Sequence, residues 1–389
     1  MLWFARATLA LLYTLENCLA KIMSLFSEKE KPIWLISERG YDAKENGLFF
    51  FKYMTSNHPE VDCYYVISDD SSDYEKVSAL GKTLTTGSFE HIEKMYLADA
   101  LISTHAFGYT PDMVVYSHLA RLHLYHPKAK QVFLQHGILD KDAEWIYRKN
   151  FKPDMFVVST EEEKRLVNKT CKQPENVIAL TGLCRYDNLT VGEPTEKMIL
   201  FMPTWRLWLQ NVSEEEFVNS GYFQKINDLI HSPSLEKLLK ERGYKLVFYP
   251  HIEMQKYRSS FHGMPGLVEI PDPSTVTVQE LLQKCEILIT DYSSVYFDVL
   301  YLKKPVLFYQ WDFSDFTKKH YNGVTARYEQ YGYVAEYAEV IVDYLRNYFI
   351  GKELHRDPFP FVYRDKNNCQ RVYEAVLERC HNGKPYAEE

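Results

Sequence analysis

Short apolar runs, each stopping at a polar cluster and alternating with helical stretches, constrain this chain more than any other feature. Residues 33–36, 63–67, 98–103, 131–134, 155–158 and 177–180 form a first series. Residues 198–202, 245–249, 267–270, 287–290 and 305–309 form a second. Helical patterns at 46–57, 161–171 and around 213–240 fall between them. A strand that is apolar throughout must be covered on both faces, which predicts parallel sheets flanked by helices. Two series predict two doubly wound α/β domains, 32–190 and 191–389, joined near 184–197, where Gly192 and Pro194 suit a linker. In two-domain proteins of this class, ligands are expected in the cleft, outside the carboxyl ends of the strands.

The length of 389 residues exceeds one compact core and accommodates two. A formal net charge of -8 argues against wrapping a nucleic-acid backbone, so no nucleic-acid partner is expected. A local basic pocket for a small phosphorylated molecule remains compatible with it. The 7 cysteines are odd in number and none is spaced CxxC, which suggests neither a disulfide framework nor a zinc site. A reducing cytosolic compartment is expected, without metal or cofactor. The phosphate loop GxxxxGK[ST], GxGxxG, HExxH and GxSxG are all missing from the sequence. An ATPase, a dehydrogenase, a zinc protease and an α/β-hydrolase are thereby disfavoured. Asp140 and Asp142 have the spacing of a metal-holding DxD pair, but they flank Lys141.

Residues 1–31 read as an amphipathic segment and a charged linker. Wound at 3.6 residues per turn, Arg6, Asn17, Lys21 and Ser24 share a narrow stripe, and Phe4, Leu11, Leu12, Leu15, Leu19, Ile22, Met23 and Phe26 cover the rest. That is the pattern of a helix lying in a membrane interface. Packing on the protein's own core or on a second subunit is the alternative, and a homo-oligomer stays open.

Four polar clusters follow strand ends. The first is Gln135-His136-Gly137; a histidine titrates near neutrality, and Gly137 leaves room for close approach. The second is Thr204-Trp205-Arg206, where Arg206 could clamp a phosphate and Thr204 add a hydroxyl. The third ends on His251, a potential donor to a diphosphate oxygen. The fourth runs Thr290-Asp291-Tyr292-Ser293-Ser294 into a helix that Asp291 or Ser293 could cap. Its exposed N–H groups would attract an anion, and Asp298, about one turn on, could hold a polyol hydroxyl. A lone strand-end histidine is ordinarily a loop residue bonded to a nearby carbonyl. Two in the same topological position weaken that reading.

In this order, the four clusters resemble the CDP-glycerol glycerophosphotransferase family of bacterial teichoic-acid and capsule synthesis. The most specific part is 290–298 followed by Lys304-Pro305-Val306 and Phe308-Tyr309 before Asp312. The resemblance spans about 33–377. It implies a GT-B fold, with CDP-glycerol as donor, CMP as product and an undecaprenyl-diphosphate-linked saccharide as acceptor. It also implies a peripheral position on the cytoplasmic face of the cell membrane. By position, His136 matches the proposed general base, and Arg206 and His251 match groups that hold the donor's phosphates. Ser293 and Ser294 match the phosphate-binding pair, and Asp298 matches the acidic residue near the glycerol. Two departures stand out. Ile138-Leu139 replaces a common Thr-Pro, and Pro250 precedes His251 where the usual order is reversed. The length is closer to primases that add one unit. Transfer from CDP-ribitol or a nucleotide-sugar, or a non-catalytic scaffold role, are the alternatives.

Overall fold

The structure, a computed structural model, describes residues 2–193, 195–320, 328–352 and 360–381. Among these residues the strands form two sheets, parallel throughout. The first holds β1 (Ile33–Ser37), β2 (Asp62–Ile67), β3 (Lys82–Thr85), β4 (Ala100–Ser103), β5 (Lys130–Phe133), β6 (Met155–Val158) and β7 (Ile178–Leu180). Their order is β3-β2-β1-β4-β5-β6-β7. The second holds β8 (Met198–Met202), β9 (Lys245–Phe248), β10 (Val268–Glu269), β11 (Ile287–Thr290), β12 (Val306–Tyr309) and β13 (Tyr333–Ala335), in the order β10-β9-β8-β11-β12-β13. β1, β4, β6, β11 and β12 are buried at every residue, as strands covered on both faces must be.

Each order reverses direction once, between β1 and β4 in the first sheet and between β8 and β11 in the second. At such a switch point the connections leave to opposite faces and open a crevice beyond the strand ends. The residues after β1, β4 and β5, and after β8, β9 and β11, therefore hold the positions where this fold binds ligands.

The chain divides into two compact units. One is Met1–Ile138, Glu144–Asn188 and Phe361–Glu389, and the other is Leu139–Ala143 and Leu189–Pro360. This departs from the expected domains 32–190 and 191–389 in two places. The chain from Phe361 on packs with the first unit, because Asp187 accepts from the Asn368 and Cys369 N–H groups at 3.0 and 2.8 Å, and Phe361 bridges to Thr160. Residues 139–143 pack with the second, where Asp140 accepts from the Tyr296 hydroxyl at 3.1 Å. Of the expected linker residues, Pro194 lies outside the described residues.

Helix Leu2–Met23 packs on helices Phe89–Leu97 and Met113–Arg121 of the first unit. Asn17 turns inward, 2 % exposed, donating to the Tyr116 hydroxyl at 2.9 Å and accepting from Tyr96 at 2.9 Å. Of the expected polar stripe, Asn17 thus faces inward while Lys21 is exposed. Leu11, Leu12, Leu15, Leu19 and Ile22 are exposed as well, and Leu25 and Phe26 beyond the helix extend the apolar surface. The side chains of Phe4 and Arg6 lie outside the described residues. No helix among the described residues is long and apolar enough to cross a membrane.

Candidate active site

In the first unit the ends of β1, β4 and β5 meet around His136. Gln135, just before it, sits at φ 60°, a left-handed conformation that costs a non-glycine residue energy unless its surroundings impose it. They do. The Gln135 amide donates to the Val157 carbonyl at 2.6 Å and to Glu163 at 2.9 Å, while its own carbonyl accepts from Asn46 at 2.7 Å. Asn46 also accepts from the Arg185 N–H at 3.0 Å, and the Arg185 guanidinium donates to the His136 carbonyl at 2.8 Å and pairs with Glu45 at 3.1 Å. The backbone of His136 is therefore clamped from both sides.

The His136 ring lies parallel to His105 with centroids 4.7 Å apart, and to Trp145 at 6.4 Å. Its Nδ1 is 3.5 Å from the Thr104 carbonyl oxygen, which can only accept, so Nδ1 carries the proton and Nε2 keeps its lone pair. Crowding by protein lowers its pKa below the usual histidine value; Arg185 and Arg39 add to this, and Thr104 opposes it. The residue is nevertheless exposed to solvent. His105 is lowered too, chiefly by burial and then by His136 and Arg39. Both rings are uncharged at neutral pH. Gly137, half-buried, follows directly.

The part played by Asn46, His105 and Arg185 went unnoticed in the sequence. The residues after β1 and β4 could have been found from the switch-point rule, had the strand order been known. Asn46 and Arg185 carry no local signal at all.

In the second unit the ends of β8 and β11 are tied together. Asp291 accepts from the Thr204 N–H at 2.7 Å, and the Thr290 hydroxyl donates to the Met202 carbonyl at 2.6 Å. Arg206 does not reach solvent: it is 0 % exposed. Its Nε and Nη2 bond the two Asp312 oxygens at 2.7 and 2.9 Å, and Nη1 donates to the Thr204 carbonyl at 2.6 Å. Nη2 also faces Asp291 Oδ2 at 2.9 Å, off the line of a hydrogen bond. The rings of Tyr222, Tyr292, Trp311 and Phe316 stand 5.0 to 5.2 Å from the guanidinium carbon. Burial alone would loosen its proton, but Asp291 and Asp312 outweigh this and raise its pKa.

In place of the expected phosphate clamp, the structure shows Arg206 buried, with its fork turned to Asp312, Asp291 and the Thr204 carbonyl. Asp291 is likewise buried at 0 % and acts as framework, holding Thr204 and Tyr292 by their N–H groups. Asp298, the expected polyol partner, is 3 % exposed in the first turn of helix Val295–Tyr301.

Thr204 differs. It is 7 % exposed, and its hydroxyl is buried with no hydrogen-bond partner among the described residues. Such a group calls for a ligand or a water. Ser294, rather than Asp291 or Ser293, is the N-cap of helix Val295–Tyr301, and its side chain makes no capping bond. Ser293 and Ser294 are half-buried, and among the described residues only the Ser293 hydroxyl has a partner, the Val295 N–H at 3.5 Å. His251 lies parallel to Trp205 at 6.1 Å, and its Nδ1 accepts from the Glu253 N–H at 3.3 Å, which puts the neutral ring's proton on Nε2. His320, not singled out in the sequence, meets the other side of this cluster through Trp205 at 4.7 Å. Among the described residues no group of three or more His, Cys, Asp or Glu is placed to hold a metal ion.

Comparison with known proteins agrees with this fold. The family described as CDP-Glycerol:Poly(glycerophosphate) glycerophosphotransferase matches residues 19–378. The minor teichoic acid biosynthesis protein GgaB of Bacillus subtilis (strain 168) is 33% identical over 386 residues, covering 93% of this chain and 41% of GgaB. The teichoic acid glycerol-phosphate primase of the same strain is 29% identical over 180 residues, covering 43% of this chain and 42% of its own length. The chain thus spans less than half the length of these relatives. The solved structure of the wall teichoic acid polymerase TagF superposes with a TM-score of 0.67 over 97% of this chain and 98% of that one, at 17% identity. A UDP-N-acetylglucosamine 2-epimerase, at a TM-score of 0.56 and 14% identity, shares the two-sheet α/β architecture. The chain belongs to the CDP-glycerol:poly(glycerophosphate) glycerophosphotransferase family.

Proposed function

We propose that this chain transfers glycerol phosphate from CDP-glycerol to a hydroxyl of an undecaprenyl-diphosphate-linked saccharide and releases CMP. One observation carries this reading. His136 stands clamped at a strand end, uncharged, with Nδ1 turned to a carbonyl and the Nε2 lone pair left for a proton. Family membership supports glycerol phosphate as the transferred group. The TagF variant soaked with CDPG supports a CDP-linked donor.

The acceptor oxygen attacks the glycerol-bearing phosphorus as its proton passes to His136 Nε2. A new P–O bond forms while the bond to the CMP oxygen breaks, and CMP leaves with that electron pair. The N–H groups and hydroxyls of Ser293 and Ser294, the Thr204 hydroxyl and His251 Nε2–H would hold the diphosphate and stabilise its growing charge. Arg206 and Asp291 support the loop that carries Thr204.

CDP-glycerol should stabilise the chain by about 2.7 kcal/mol at 100 times its Kd. CDP-ribitol and UDP-sugars should do less at equal concentration, and Thr204→Val with Ser294→Ala should bind CDP-glycerol at least about tenfold more weakly. Thermal-shift titrations read this directly. Equal stabilisation by a UDP-sugar would sink the donor assignment. The mass of the product made on a prenyl-diphosphate disaccharide separates one added unit, the primase-like outcome we favour, from a polymer ladder.

The outward apolar face of helix Leu2–Met23 supports a seat on the cytoplasmic face of the cell membrane. Co-sedimentation with anionic vesicles should be lost in Leu11→Glu/Leu15→Glu/Leu19→Glu. Retained sedimentation would refute the membrane seat, and a change of oligomeric state in that variant would give the face to a second subunit.

A further inference from the structure

The first unit carries a cation cluster that the proposed transfer does not use. A cavity of about 600 Å³ is bordered by Lys130, Arg148, Lys152 and Arg379, with Asp154 and Glu378 beside them. Lys130 opens β5, and Asp154 precedes β6. In a parallel sheet this is the end opposite His136. Four cations face two carboxylates in a chain whose net charge is -8. Asp154 is already committed, accepting from the Gln131 N–H at 2.9 Å and standing 3.8 Å from Lys130 Nζ.

The two guanidiniums are held by neutral acceptors. Arg148 donates to the Pro153 carbonyl at 3.2 Å and to Gln173 at 3.4 Å. Arg379 donates to the carbonyls of Asp154, Ala375 and Asn176 at 3.3, 2.8 and 3.2 Å. Carbonyls fix a fork in place without neutralising it. Among the described residues, Arg148, Lys152 and Arg379 have no carboxylate at ion-pair distance. Burial lowers the Arg379 pKa, although Glu378 and Asp154 act to raise it. Positioned guanidiniums with uncompensated charge match the geometry of a phosphate oxyanion. The volume falls in the range of small-molecule sites, well above that of a single ion.

We propose that this cavity is a second ligand site, separate from His136, that binds a small phosphorylated molecule through its phosphate group. The test is calorimetric titration of the full chain with glycerol 3-phosphate and with inorganic phosphate, at low and at moderate salt. Anionic and neutral vesicles form parallel arms. Binding is expected for glycerol 3-phosphate, weakening steeply with salt. Lys152→Glu, an exposed change that should leave the melting temperature intact, is expected to weaken it tenfold or more, as is Arg148→Gln. Binding confined to anionic vesicles and abolished by Lys152→Glu would assign the same phosphate chemistry to a lipid headgroup. No binding in any arm at millimolar concentration, or binding indifferent to both substitutions, would overturn the proposal.

Discussion

His136→Gln should turn over CDP-glycerol about 10²–10⁴-fold more slowly than the parent chain, the usual worth of a positioned general base. Its melting temperature and donor affinity should barely move. The expectation rests on how the residue is held. Gln135, Asn46 and Arg185 fix the backbone, none of them through the imidazole. Among the described residues the ring's one hydrogen bond is the long contact to Thr104, so little stability is lost with it. Glutamine keeps polarity and much of the volume but accepts no proton. The pH profile adds a second readout. The base works unprotonated, and its pKa lies below the usual histidine value. kcat/KM should therefore stay level from pH 8 to about 6.5 and fall only below that, over a limb that His136→Gln lacks. Near-parental CMP release by His136→Gln would remove the residue from the chemistry.

Arg206→Met should destabilise the second unit by about 3–5 kcal/mol, because it strands two carboxylates that the guanidinium now pairs. Asp291 is wholly buried, and an unpaired charge there must take up a proton or draw in water. For a unit of this size the melting temperature should fall by roughly 10 °C in scanning calorimetry. Arg206→Lys should recover only part of this, since one ammonium cannot replace two bonds to Asp312 and a third to the Thr204 carbonyl. Donor affinity should drop in step with folding. A variant that melts normally and loses only donor affinity would return Arg206 to the role of direct phosphate ligand.

The fully buried strands were legible in the sequence because burial on both faces writes a continuous apolar run. β3 and β13 were not. Both lie at sheet edges, and Lys82–Thr85 shows only one buried residue, so no run marks it. The strand-end positions of His136 and His251 were legible for the same reason as the strands. Their surroundings were not. The partners of His136 come from Thr104 and Arg185, each brought near by sheet order and helix packing rather than by neighbourhood in the chain.

By itself, then, the sequence determined the class of fold, the strand ends that carry polar clusters and the family resemblance, since each is written in local pattern and order. Tertiary structure alone decided what packs around those clusters. It turned Asn17 inward and left the leucines of the same helix outside. It joined the last helix to the first unit. Arg206, an apparent phosphate clamp at a strand end, became a buried brace because Asp312, 106 residues further along, occupies its fork. Whether a charged side chain meets solvent or a counter-ion depends on which distant segment packs against it, and local sequence does not encode that.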